Sequence, residues 1–337
     1  MLRLVQCMPR LSKLRLSGLV ATTTGFGFLA AGSPLDGVAL AAAVGGTLLT
    51  ACSAGAFNQI IEIASDAKMK RTRSRPLPSG RINVKQASLF GAVTGGAGLA
   101  VLCAGTNPLT AALGLANLVF YTNVYTPLKK ITPWNTEIGA IVGAIPPVMG
   151  WTAATGCLFA PEVVALSSIL FLWQMPHFLS LAWILRHDYR SGGYRMLSLN
   201  DADGKTTARA SLIYTGMLFL LPVATTAAGM TNGMFVAHGL AANSFILYNA
   251  FQFYSAPSDA SARSLFRSSL WHLPLLMALF AYHKLNRQKE AALKEIDDLH
   301  TFGKRLCIHE GVATTAGKCI ETLETTDKEA NTLSSIY

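Results

Sequence analysis

Seven stretches without a single Asp, Glu, Lys or Arg limit what this chain can fold into: residues 16–35, 37–61, 86–128, 138–161, 163–185, 210–258 and 268–283. A helix needs about 20 residues to cross the hydrocarbon core of a bilayer. The windows of 43 and 49 residues are therefore hairpins. Each has turn chemistry near its middle, Gly105-Thr106-Asn107-Pro108 in one and Gly229-Met230-Thr231-Asn232-Gly233 in the other. Five single windows and two double ones predict nine spans. Within lipid the backbone must satisfy its own polar groups, and long apolar runs without alternation are helices. The expected fold class is thus all-α, a polytopic membrane protein. With 51% hydrophobic and only 14% charged residues, against about 25% charged in soluble domains, a soluble enzyme, a disordered chain and a disulfide scaffold are excluded.

The basic residues orient these spans. Twenty of the 28 Lys and Arg fall in the N-terminal segment and in the loops after spans two, four, six and eight. The four short loops on the other side contain none, and the remaining eight lie from Lys284 onward, after the last window. Positive charge marks the inner side, so the net charge of +10 reflects topology rather than nucleic-acid binding. Three segments follow. Residues 1–15 form a basic N-terminus that resembles a mitochondrial presequence and would serve equally as a positive-inside flank. Residues 16–285 form the nine-helix domain. Residues 286–337 form a polar tail, expected to hold one short helix around 289–300 and otherwise to be disordered. The six cysteines contain no C-x-x-C pair, which indicates neither a disulfide framework nor a thiolate metal site.

Polar groups at the inner ends of spans carry the chemistry. Asn58, Glu62 and Asp66 are spaced four apart, so on a helix they lie within an arc of about 80°. Oxygen donors on one face, two of them carboxylates, suit Mg²⁺ that is completed by water and substrate phosphates. A run of cations follows, including Lys68, Arg71 and Arg75, and such cations bind a diphosphate that carboxylates alone would repel. A second cluster ends span six: Trp173-Gln174-Met175-Pro176-His177-Phe178, then Arg186-His187-Asp188-Tyr189. Asp188 lies on the same side as Asp66, and Pro176 is expected to kink its helix. A third is Tyr125-Thr126-Pro127-Leu128-Lys129-Lys130; the two lysines are either interface anchors or clamps for diphosphate oxygens or haem propionates. Gly143-Ala144-Ile145-Pro146-Pro147 marks a distorted mid-span helix that needs a cavity or a neighbouring helix.

At these residues the chain resembles the UbiA superfamily of intramembrane prenyltransferases, whose pattern is an Asn/Asp-rich motif after span two and an acidic motif after span six, on nine helices. Asn58-x3-Glu62-x3-Asp66 and Arg71-Thr72-x2-Arg75-Pro76-Leu77 carry that likeness. Three further runs are similar to the haem-modifying branch: Trp173-Gln174-x-Pro176-His177-Phe178, Asp188-Tyr189-x2-Gly192-Gly193-Tyr194-x-Met196 and Tyr125-Thr126-Pro127-Leu128-Lys129. The stretch 142–156 is similar to mitochondrial members. Two departures stand out. His187 replaces a commonly acidic neighbour of Asp188, and Glu62 takes a place that is Asp in many bacterial members.

The resemblance implies a nine-helix bundle around a central cavity, in the mitochondrial inner membrane, with the N-terminus and active-site loops on the matrix side. It implies transfer of a farnesyl group from farnesyl diphosphate to the vinyl group of haem B, giving haem O and diphosphate, with the downstream haem A synthase as a partner. The implied metal ligands are Asn58, Glu62, Asp66 and Asp188, with Asp66, Asp188, His177 and Tyr125 as catalytic residues. Lys68, Arg71, Arg75, Lys129, Lys130, Trp173, Phe178 and Tyr189 are the implied substrate-binding residues. For His177, haem ligation, haem orientation and base catalysis all stay open. The competing readings are a quinone-precursor prenyltransferase, which would carry a fuller aspartate set in the second motif, and an ion-coupled transporter, which has no use for the cation-rich loop after Asp66. A CDP-alcohol phosphotransferase would need an Asp-Gly and Ala-Arg signature that this chain lacks.

Overall fold

The computed structural model describes residues 2–32 and 34–309. Its elements are α1 (Leu2–Leu11), α2 (Leu14–Ala30), α3 (Gly37–Ile61), α4 (Ile63–Lys68), α5 (Val84–Gly105), α6 (Pro108–Val119), a π-helical turn (Phe120–Tyr125), α7 (Thr126–Leu128), α8 (Asn135–Thr155), α9 (Pro161–Ile184), α10 (Arg186–Ser191), a 3₁₀ turn (Leu197–Leu199), α11 (Lys205–Ala227), α12 (Met234–Ser255) and α13 (Asp259–His309). No strand occurs among the described residues. Every charge-free window holds helix. By length and composition, five of the described helices can cross a membrane: α3, α5, α8, α9 and α11. The other four predicted spans correspond to α2, the α6–α7 segment, α12 and part of α13.

Helix ends fall where local chemistry puts them. Asp36 accepts hydrogen bonds from the Val38 and Ala39 amides at the start of α3, and Asn83 and Gln86 form a capping box on α5. The first predicted hairpin turn holds: Asn107 Oδ1 caps α6 through the Thr110 amide at 2.9 Å, and its Nδ2 donates to the Thr152 carbonyl on α8 at 2.8 Å. Pro176, where a kink is expected, lies inside α9. Contacts divide the chain into residues 1–286 and 287–337. In the second unit the described residues, 287–309, are helical. The disorder expected further on falls outside the described residues.

The main apolar core joins α2, α8, α9, α11, α12 and α13 through residues such as Trp151, Ile169, Leu218, Phe235 and Phe280. Helices α2 and α8 touch backbone to backbone. A Cβ on Gly150 would collide with the Thr24 carbonyl, and one on Gly27 with the Pro147 carbonyl. The Gly143–Pro147 motif therefore sits against neighbouring helices, as expected, with the Gln174 carboxamide lying over Gly143. Gln174 Nε2 donates to Ala140 O at 3.2 Å and to Leu170 O at 3.0 Å, tying α9 to α8. Small residues permit this approach because packing, not the hydrophobic effect, joins helices in lipid. Gly150→Val should cost about 3 kcal/mol or more through overpacking, read as loss of a monodisperse folded species on size exclusion. Gly96→Ala, where nothing lies within 4 Å, should leave that species intact.

Candidate active site

Five basic segments meet at one end of the helices. Helix α3 ends at Ile61 and α4 starts at Ile63, but the four-residue ladder carries across the break. The Glu62 amide bonds Asn58 O at 3.0 Å, and the Asp66 amide bonds Glu62 O at 2.8 Å. The predicted row of Asn58, Glu62 and Asp66 is therefore kept on one face, and all three are buried, at 0%, 4% and 0% exposure.

Each member of the row is met by a cation. Arg75 lies 2.6 Å from Asp66 Oδ2. Lys129 lies 2.9 Å from Glu62 Oε1 and 4.6 Å from the Tyr125 ring centroid. Lys13 donates to Asn58 Oδ1, and Asn58 Nδ2 donates to Thr126 Oγ1 at 3.1 Å. The other Asp66 oxygen, Oδ1, is buried and has no hydrogen-bond partner. Burial disfavours charge on Glu62, but Lys129 and Lys13 overcome it and hold the carboxyl below its usual range. Burial likewise acts against Lys129, and Glu62 outweighs it, holding the ammonium above its usual value. For Lys13, burial and then Lys129 outweigh the opposing pull of Glu62 and Asp66 and bring the ammonium down to about 7.

The residues around Tyr125 are aimed by a local departure from α geometry. Over Phe120–Tyr125 the chain is π-helical. Both the amide and the hydroxyl of Thr126 bond Tyr121 O, the hydroxyl at 2.8 Å. Pro127 follows and has no N–H to continue an α ladder. Such π turns are frequent at functional sites; this one presents Tyr125, Thr126 and Lys129 to the row on α3.

Asp188 closes the site from α10. Its Oδ1 accepts from the Lys70 amide at 3.2 Å and its Oδ2 from the Arg71 amide at 3.1 Å. Asp188 thus stands at the same end as Asp66 and pins the loop that follows it. The Arg195 amide donates to Lys129 O at 2.7 Å, and Arg186 lies 2.7 Å from Asp259 at the start of α13. Tyr189, Tyr194, Met69, Ala182 and Met196 pack together under these loops, with Phe178 against them.

Other residues singled out from sequence lie apart from this cluster. Lys68, Lys130 and the Arg71 side chain are exposed and make no ion pair among the described residues. Trp173 and His177 face α13: Trp173 Nε1 donates to Ser269 O at 2.9 Å, and His177 Nδ1 lies 2.7 Å from Ser269 Oγ. Sequence reasoning missed Lys13. Lys13 was one of four cations in a segment that looked like a presequence; what gives it away is packing. Leu11 is fully buried, Gln59 Nε2 donates to the Arg10 and Leu11 carbonyls, and Lys13 adopts a left-handed backbone (φ 49°) that turns its side chain onto α3.

The donor set fits a divalent cation. A buried carboxylate oxygen without a partner is costly unless a cation meets it, and Asp66 Oδ1 is one. Among the described residues no three His, Cys, Asp or Glu side chains converge. An ion here would be held by few protein oxygens and completed by phosphate oxygens, the coordination habit of Mg²⁺.

The chain is similar to known proteins in both sequence and fold. The sequence matches the UbiA prenyltransferase family over residues 19–286. It is 44% identical over 272 residues to the mitochondrial protoheme IX farnesyltransferase of Homo sapiens, covering 81% of this chain and 61% of the human protein, so it spans about three fifths of that relative's length. It is 37% identical to the protoheme IX farnesyltransferase of Opitutus terrae, covering 82% of this chain and 93% of the bacterial one. The fold is similar to that of a UbiA homologue from Archaeoglobus fulgidus bound to GPP and Mg²⁺, with a TM-score of 0.59 at 13% identity over 83% of this chain and 99% of that one. Family match and fold converge: the chain is a member of the UbiA prenyltransferase family.

Proposed function

We propose that this protein transfers a farnesyl group from farnesyl diphosphate to a vinyl group of haem B, giving haem O and diphosphate, at the matrix face of the mitochondrial inner membrane. The observation that carries the transferase reading is the buried row of Asn58, Glu62 and Asp66 facing Lys13, Lys129 and Arg75, with Asp66 Oδ1 left for a cation. The acceptor and the organelle follow the names of the relatives.

Asp66, through its unpartnered Oδ1, would hold Mg²⁺. Asn58, Glu62 and Asp188, whose oxygens are engaged by Lys13, Lys129 and the Lys70 and Arg71 amides, would join it only on exchanging those partners. The ion supplies positive charge to the diphosphate as it leaves. The chain's own cations do the rest. Arg75, Lys129 and Lys13 are fixed beside the leaving group before reaction, so the charge building on it is stabilised without reorganisation. The allylic C–O bond breaks, and its electron pair leaves with the diphosphate. The vinyl π pair then forms the new C–C bond. Water adds to the resulting carbocation and a proton is released. Tyr125 and Phe178, near the charged row, offer ring faces to the cation, and the apolar helices keep bulk water from it. Lys68, Lys130 and the Arg71 side chain, exposed at the rim, attract the anionic substrate.

Purified full-length protein supplied with haem B, farnesyl diphosphate and Mg²⁺ should yield a product heavier than haem B by one farnesyl group and one hydroxyl, resolved by mass spectrometry. Prenylation of 4-hydroxybenzoate in place of haem B would overturn this assignment in favour of a quinone-precursor enzyme.

A further inference from the structure

His177 lies in a charge-free span and is held on three sides, outside the charged row. Two aromatic rings fix its plane. Trp173 stacks on it at 4.7 Å between ring centroids and 20° between planes, and Phe266 covers it at 4.8 Å and 31°. Trp173 is itself anchored to Ser269 O, so one residue of α13 holds both rings of α9.

Ser269 Oγ lies 2.7 Å from Phe266 O, toward which it can only donate, and 2.7 Å from His177 Nδ1. The tautomer that keeps both bonds carries its proton on Nδ1, donating to Oγ, and leaves the lone pair on Nε2. An imidazole whose second nitrogen donates to a fixed acceptor is the arrangement that orients histidine toward a metal, and a histidine nitrogen is a common proximal ligand of haem iron.

A base role fits less well. Taking a proton would leave an imidazolium within the apolar span, and no carboxylate is among the hydrogen-bond or charged partners of His177. Glu62 and Asp66 are paired with lysine and arginine, and Asp188 is bound to backbone amides. An unpaired buried charge costs several kcal/mol, whereas a neutral nitrogen bound to iron leaves the ring uncharged. His177 is also seven residues before the inner end of α9 at Ile184, about 10 Å along a helix. That depth suits a flat apolar substrate whose propionates reach the basic loops.

We propose that His177, through Nε2, is the axial ligand of the iron of the haem acceptor, and that Ser269 is a positioning residue that sets its tautomer. This rests on haem B being the acceptor.

The test is titration of ferric haem B into the purified full-length protein without farnesyl diphosphate or Mg²⁺, followed by optical and electron paramagnetic resonance spectra. Wild type should show a histidine-ligated haem. His177→Gly should lose that signature and regain it when imidazole is added, while still binding a farnesyl diphosphate analogue, which reports the fold. Ser269→Ala should keep the ligand but bind haem about 10-fold or more weakly, as loss of outer-shell partners does. An unchanged spectrum in His177→Gly, with haem still bound, would overturn the ligand assignment and leave the acceptor intact. If wild type binds no haem at all, the acceptor reading itself fails. A His177→Gly protein that does not fold is replaced by Ser269→Ala and His177→Met. Met ligation shifts the spectrum if position 177 faces iron and leaves it unchanged if it does not.

Discussion

Asp66→Asn should lower prenyl transfer by about 10²–10³-fold, the scale on which enzymes lose rate when one preorganised electrostatic group at the reacting centre is removed. The substitution preserves shape and removes only the charge. Asp66 is fully buried, its Oδ2 is engaged by Arg75 at 2.6 Å, and its Oδ1 is free of any protein partner. Without the negative charge nothing at that point draws a divalent ion to the diphosphate. Folding should survive, because the Arg75 side chain is 21% exposed and can rehydrate. The check is a pair of measurements: turnover with Mg²⁺, which should collapse, and thermal unfolding, which should shift little. An Asn variant with wild-type turnover would remove Asp66 from the metal site.

The second large effect is expected at Lys13. A charge-assisted hydrogen bond is worth roughly 1.5–3 kcal/mol, so Lys13→Ala should weaken farnesyl diphosphate binding by about 10- to 100-fold while haem affinity stays near wild type. Lys13→Arg should recover part of the loss, since it restores charge but forks where an ammonium fitted. A general loss of both ligands would mean that the N-terminal segment matters for folding alone. Gln59→Leu separates the two roles. It removes the amide that holds Arg10 O and Leu11 O without touching the charge, and it should raise KM for the diphosphate in proportion to how far Lys13 drifts.

Much of this was legible in the residues. The charge-free windows located the helices because a bilayer leaves a spanning chain little other choice. The spacing of Asn58, Glu62 and Asp66 placed three oxygens on one face, and the hydrogen-bond ladder keeps them there even though the helix is broken at Glu62. The basic-loop count correctly grouped the segments that now meet through the contacts of Asn58 with Lys13, Glu62 with Lys129, and Asp188 with the loop amides.

Other features depend on tertiary placement and left no local signal. Lys13 looked like any basic residue before a first span; only its backbone turn and the burial of Leu11 single it out. Asp188 was expected beside a metal, but which amides it would capture depends on how the loop after Asp66 folds over α10. The cations of that loop looked equivalent in sequence. In the structure Arg75 turns inward, while Lys68 and Arg71 point to water. His177 read as polar in an apolar span. Its partner Ser269 lies 92 residues away, beyond the reach of any periodicity.

Divalent-ion-dependent capture of the diphosphate at Asp66 is the claim on which the rest depends. Mn²⁺ in place of Mg²⁺ makes it visible by electron paramagnetic resonance, using the full-length protein and a non-hydrolysable farnesyl diphosphate analogue. Wild type should immobilise Mn²⁺ when the analogue is present, and Asp66→Asn should not. If the analogue binds equally well with chelator, with Mn²⁺ and in Asp66→Asn, the buried acids are not a metal site and the proposed chemistry is wrong.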